Sequence, residues 1–268
     1  FLAEPKRGAH AGEALCDPTP DRVERVIASA GPALRMVTLA PERAGALEAI
    51  SRFAASGAVV AAGHSLATLA QLREAIPRGL SFVTHVGNAS DWPSRPFDAQ
   101  AGFRRSEPNV VGAFLVERQL RGSVILDGHH LHPELARALV ELRGPEAVAL
   151  VSDSTPAAGL PPGRYRMGGL DAEIRAEGYA TTGESLAGSV VTLLDCVRAA
   201  VRLAGIPLAT ALRMASATPA AVLGLSGKKG SLLAGADADL LLLGPELELE
   251  AVYRMGVQVR AAAGRSGR

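Results

Sequence analysis

Short apolar runs, each closed by a polar or glycine-bearing corner and followed by a helical pattern, recur along the first half of the chain. They occupy residues 34–40, 58–62, 81–84, 123–126 and 147–151. The runs are continuous rather than alternating, which is the pattern of parallel strands buried on both faces. Helical periodicity follows over 43–55, over 66–75 with Ser65 as the expected N-cap, and over 133–142 behind Pro133. Residues 161–177 are rich in turn formers, with short strands expected at 164–167 and 172–175. Helices are then expected over 190–204, 208–215 and 219–223, and two strands at 238–243 and 251–255 joined through Gly244-Pro245. The alternation of strand and helix predicts an α/β fold with a TIM-like (β/α) barrel over 1–225, followed by part of a small β domain over 226–268.

Composition narrows the function. With 48% hydrophobic and 21% charged residues, the 268-residue chain is neither a disordered nor a collagen-like polymer. Lys and Arg number 28 against 27 Asp and Glu, a formal charge of +1, so nothing favours nucleic acid or an anionic membrane as partner. Aromatics, at 4%, are too few for base-stacking platforms. Cys16 and Cys196 make neither a disulfide framework nor a cysteine zinc module, and they fit a reducing, cytoplasmic location. No apolar run reaches the roughly 18 residues of a membrane span, and no signal-peptide pattern opens the chain. Its first residue is Phe1 rather than Met, which reads as a trimmed sequence.

The candidate chemistry lies at strand ends, where a parallel barrel keeps its catalytic groups. His64, His85 and the pair His129/His130 follow apolar runs directly or just beyond, as does Asp153, whereas His10 and His132 lie in loops. Neutral imidazoles with a nearby carboxylate suit metal-assisted hydrolysis: the metal activates water and the carboxylate moves its proton. Serine-hydrolase, kinase and dinucleotide motifs are missing from the places where they would function.

Gly63-His64-Ser65, Thr84-His85-Val86-Gly87-Asn88-Ala89, Asp127-Gly128-His129-His130 and the segment from Leu150 to Leu160 stand in an order that resembles the N-acetylglucosamine-6-phosphate deacetylases. The segments Leu186-Ala187-Gly188-Ser189, 211–216, Lys229-Gly230-Ser231 and 235–240 extend the resemblance over nearly the whole chain. It implies a TIM-like barrel of the amidohydrolase type, here N-terminally incomplete, with a small β-sandwich built from both chain ends. It also implies a divalent metal, zinc with iron as the alternative, an N-acetylated amino-sugar phosphate as substrate, and a homodimer of the full-length protein.

By that resemblance His64 and His85 bind the metal, Asp153 is general base and then acid, and His130 meets the substrate beside the scissile amide. His10, Asn88, Ala89, Leu186, Ala187 and Gly188 are the implied substrate contacts. The sequence departs from the family in two places. A metal-binding Glu would fall about three residues before Phe1, and the barrel would lack its first strand; without that Glu, weak metal binding is expected. The family's phosphate-binding Arg is replaced by Ser106 when Glu107-Pro108 is aligned, which leaves Arg105, Arg104 and Arg95 as phosphate candidates.

Around these residues Glu42 has two readings, an approach to the site or a helix-start carboxylate. His129 and His132 are expected in the loop beside the site, Cys196 in packing, and Arg198 and Arg202 on a helix surface. The leading expectation is hydrolysis of N-acetylglucosamine 6-phosphate to glucosamine 6-phosphate and acetate. The alternatives are action on another small N-acyl amide, or an inactive fragment.

Overall fold

The computed structural model describes residues 1–92, 97–98, 102–103, 106–183 and 185–261. The five apolar runs of the first half form one parallel sheet. Its strands are β1 (Met36–Leu39), β2 (Val59–Ala62) and β3 (Leu80–Val83), then, after the short antiparallel pair β4 (Phe97–Asp98) and β5 (Gly102–Phe103), β6 (Arg121–Ile125) and β7 (Val148–Val151). They lie side by side in the order β1-β2-β3-β6-β7, every pairing parallel. The helices are α1 (Pro20–Ala30), α2 (Ala46–Ala55), α3 (Leu69–Ala75), α4 (Asn109–Val116), α5 (Pro133–Arg143), α6 (Leu193–Arg202), α7 (Leu208–Ala215) and α8 (Ala217–Val222).

Both faces of the sheet are buried, as the unbroken apolar runs require. One face sends Val60, Val83, Val124 and Leu150 against helix residues such as Phe53, Leu72 and Phe114. The other face holds Ala61, Phe82 and Ala149, with Met36, Val59 and Val222 packed on them. Each fully buried large side chain stabilises the fold by about 1.5–3 kcal/mol. This is the TIM-like α/β arrangement expected from the sequence, and it places every strand's C-terminal corner on one rim.

The sequence reading differs from the fold in identifiable places. α2 starts at Ala46 rather than residue 43, because residues 41–45 form turns that end in Gly45 at φ +80°. α3 starts at Leu69, and its cap is Thr68, not Ser65. The Thr68 side chain accepts from the backbone N–H of Gln71, whose own side chain returns to the Thr68 N–H. That reciprocal pair outcompetes a lone serine. α1 was not anticipated.

A four-stranded antiparallel sheet follows β7, in the order β11-β10-β9-β8: β8 (Gly163–Met167), β9 (Leu170–Ile174), β10 (Tyr179–Thr182) and β11 (Ser185–Ser189). The first two strands were expected; β10 and β11 were not. Near the C-terminus β12 (Leu240–Leu243), β13 (Leu249–Arg254) and β14 (Val257–Ala261) form a separate antiparallel sheet. Arg198 of α6 is more than helix surface. Its Nε and Nη2 donate to the Leu247 carbonyl at 3.1 and 2.7 Å, and Arg202 donates to the Glu246 carbonyl, fastening the turn between β12 and β13 to the barrel helices.

Candidate active site

The corners after β2, β3, β6 and β7 open into a cavity of about 870 Å³ that brings together His10, His64, His85, His130 and Asp153. Asn88, Ala89, Leu186, Ala187 and Gly188 line it as well. The expected site residues among the described ones therefore share one cavity. Arg95, Arg104 and Arg105, the phosphate candidates, lie outside the described residues. The cavity has two cations the sequence reading passed over, Lys6, which is ion-paired with Asp91, and Arg7.

Three of the corner residues carry the same backbone signature. His64, His85 and Asp153 have φ of +51°, +29° and +50°, and Ala89 has +44°. Left-handed backbone is uncommon away from glycine and clusters at functional corners, where the surrounding fold holds it. Here the holding groups are visible. Glu42 accepts from Ser65 Oγ at 2.7 Å and from the Leu66 N–H at 2.6 Å, which clamps the corner containing His64. Glu42 is thus neither a helix-start carboxylate nor a lining group of the cavity; it braces a site residue from behind. For Asp153 the clamp is β11. The Ser189 N–H donates to the Asp153 carbonyl at 3.0 Å, and Ser189 Oγ donates to the Ser152 carbonyl at 2.6 Å. Gly188 has φ +86°, and a Cβ there would stand 2.7 Å from the Asp153 carbonyl oxygen.

The histidine tautomers follow from their partners. His64 Nδ1 lies 2.7 Å from the Lys6 carbonyl and His85 Nδ1 lies 3.1 Å from the Asn88 carbonyl. A carbonyl only accepts, so both Nδ1 atoms carry the proton and both Nε2 atoms are bare in the neutral rings. Those two Nε2 atoms are 3.1 Å apart. Burial, and then the neighbouring His85, hold His64 down at about pKa 4. Burial likewise lowers His85, which is only 6% exposed. The pair is therefore neutral at pH 7, with two unprotonated Nε2 atoms within 3.1 Å of each other. That donor set fits a divalent cation between them. Among the described residues no group of three or more His, Cys, Asp or Glu side chains forms such a cluster.

The other groups complete a polar wall. His10 donates from Nδ1 to the Arg7 carbonyl at 2.7 Å and sets its ring edge-on to His64, centroids 4.9 Å apart. Asn88 Nδ2 is buried without a hydrogen-bond partner among the described residues, an orphan donor beside the cavity. Asp153 does not cap its loop: its carboxylate makes no hydrogen bond among the described residues, and burial raises its pKa against the pull of His130, His64 and His10. The sequence reading missed Asp127, whose carboxylate stands 2.6 Å from His130 Nδ1. Its signal was present, an acidic residue three positions before the histidine at a strand end. His129 points away, to the Glu177 carbonyl, and His132 caps α5 by accepting from the Glu134 N–H.

A (β/α) barrel with histidines and an aspartate at its strand corners defines a class, and the amidohydrolase family matches residues 13–259; the chain belongs to that family. Within it, the chain is 35% identical to the N-acetylglucosamine-6-phosphate deacetylase of Danio rerio, over 97% of this chain and 63% of that protein. It is 33% identical to the N-acetylgalactosamine-6-phosphate deacetylase of Escherichia coli O157:H7, over 96% of this chain and 65% of that protein. A solved mutant of the N-acetyl-D-glucosamine-6-phosphate deacetylase from Mycobacterium smegmatis, in complex with N-acetyl-D-glucosamine-6-phosphate, superposes with a TM-score of 0.87 at 36% identity. That match covers 96% of this chain and 66% of the solved one. The chain thus spans under two thirds of the length of these relatives. Among the described residues no helix is long and apolar enough to cross a membrane.

Proposed function

We propose that this site performs metal-dependent hydrolysis of the N-acetyl group of N-acetylglucosamine 6-phosphate, giving glucosamine 6-phosphate and acetate. The observation that carries the reading is the pair of neutral imidazoles whose bare Nε2 atoms face each other at 3.1 Å. His64 and His85 would hold the cation, zinc or alternatively iron, which when bound supplies Lewis-acid polarisation and a more acidic water. Asp153, with no competing hydrogen bond among the described residues, takes a proton from water and delivers it to the leaving nitrogen. The C–N bond of the amide breaks, the water oxygen stays with the acetyl carbon, and the amine leaves neutral.

His130 faces the acyl oxygen from the corner after β6. The orphan Asn88 Nδ2 gains a partner when sugar or phosphate oxygens enter, which supports its role in binding. Ala187 and Gly188 would meet the substrate through backbone, and His10 and Leu186 would line the sugar. A cytoplasmic, homodimeric full-length protein belongs to the same reading.

The test is acetate release from a panel of N-acetylhexosamine 6-phosphates, their unphosphorylated sugars and other small N-acyl amides, with protein loaded with Zn²⁺ or Fe²⁺. The highest kcat/KM is expected on N-acetylglucosamine 6-phosphate. Preference for an unphosphorylated amide, or no acetate from any substrate, would sink the proposal.

The brace behind His64 gives a second expected result. Glu42→Gln removes an acceptor from either Ser65 Oγ or the Leu66 N–H, so His64 loses its fixed approach. Zinc retained per chain after dialysis should reflect a metal affinity weakened by about 10–100-fold. Wild-type zinc content in the variant would show that the brace is irrelevant to the imidazole pair.

A further inference from the structure

We propose that Asp127 is a positioning residue of this site: its carboxylate holds the Nδ1–H of His130, so that Nε2 is the ring nitrogen presented to the cavity. Only the catalytic consequence rests on the deacetylase reading; the hydrogen-bond arrangement does not. β6 ends at Ile125, and the chain turns at Gly128, whose φ of +89° suits a residue without a side chain. Within that turn Asp127 Oδ1 accepts the backbone N–H groups of His129 and His130, each at 2.9 Å. Its other oxygen, Oδ2, lies 2.6 Å from His130 Nδ1.

The side chains of Asp127 and His130 are 0% and 5% exposed. A carboxylate withdrawn from water this far needs donors on both oxygens. Burial works to raise its pKa, but the bonds from the His130 ring and the two backbone N–H groups bring it down to about 2, so it is ionised. An ionised carboxylate only accepts, and the nitrogen facing it at this short distance must donate.

The neighbouring histidine shows that the loop sorts its two rings by their partners. His129 places Nε2 2.8 Å from the Glu177 carbonyl and packs its ring on Tyr179, centroids 4.6 Å apart, outside the cavity. Behind Asp127, Cys196 of α6 stays a neutral thiol, pushed up to about 12 by burial and then by the Asp127 charge. It offers the carboxylate no competing charge.

A simpler role for Asp127 is to cap the turn through Oδ1. Asp127→Asn separates the two roles. The two backbone N–H groups keep the amide oxygen at the Oδ1 position, which forces the NH₂ group to the Oδ2 position, facing His130 Nδ1. The cap survives and the ring must invert, with Nδ1 bare and the proton on Nε2.

¹⁵N NMR of histidine-labelled protein at about pH 8.5, above the ordinary imidazole range, reads this directly. His130→Gln assigns the ring. Nδ1 is expected protonated in wild type and unprotonated in Asp127→Asn. A bare Nδ1 in wild type, or a protonated one in the variant, overturns the proposal. If the variant does not fold, the wild-type spectrum still decides.

In acetate-release assays Asp127→Asn should lower kcat by about 10–100-fold, with KM changed less than about threefold. Wild-type kcat with an inverted ring would overturn the positioning role. Absence of turnover by the wild-type protein would count against the deacetylase reading, while the spectra still decide the arrangement of Asp127 and His130.

Discussion

On the proposed deacetylase reading, Asp153→Asn is expected to lower turnover of N-acetylglucosamine 6-phosphate by about 10²–10⁴-fold while leaving the unfolding midpoint nearly unchanged. The substitution keeps the shape of the side chain, and among the described residues the carboxylate makes no hydrogen bond for it to disturb. The corner is held instead through its backbone, by Ser189 N–H on the Asp153 carbonyl and by Ser189 Oγ on the Ser152 carbonyl. What the variant loses is a base: an amide cannot accept the proton of water or pass one to the leaving nitrogen. Initial rates and a thermal melt on the same preparation check both halves. Turnover within about threefold of wild type would remove Asp153 from the proton path.

Gly188→Val destabilises the protein by about 2–5 kcal/mol, because a β-branched residue is placed at φ +86° and its Cβ is driven against backbone. Two contacts decide the size. The added carbon would stand 2.7 Å from the Asp153 carbonyl oxygen and 3.0 Å from Thr155 Cγ2. The sequence alone suggests that such a change would hurt substrate binding far more than folding, since a bare glycine lets a ligand approach. The joint between β11 and the Asp153 corner adds a folding penalty to that loss. Chemical denaturation is the measurement. A midpoint equal to wild type would show that this joint can open to admit a side chain.

The parallel half of the fold was legible because each strand is a run of apolar residues buried on both sides and ended by a polar corner. The candidate site corners came with it, since His64, His85, His130 and Asp153 sit where such runs stop. β10 and β11 stayed hidden for the opposite reason. Tyr179–Thr182 and Ser185–Ser189 are polar and small, and they become strands only because their backbone pairs with each other and with β9. Glu42 was equally hard to read, because its partners Ser65 and Leu66 lie 23 and 24 residues on. Asp127 left a signal in its spacing, three positions before His130, but not its pairing with the ring. Spacing records which residue types are near in sequence, not which oxygen a ring nitrogen finds. The Ser65 cap failed because its hydroxyl accepts from the Ala67 N–H within the corner, three residues before Thr68, which caps the helix.

The left-handed corners at His64, His85, Ala89 and Asp153 also bear on any attempt to make the protein hardier. A redesign that scored each position by backbone comfort would choose glycine or asparagine at all four. It would relieve local tension and at the same stroke delete two imidazoles and a carboxylate. Robustness and chemistry compete here at the same few positions, so gains in durability have to be sought in the helices and in the surface of the antiparallel sheets.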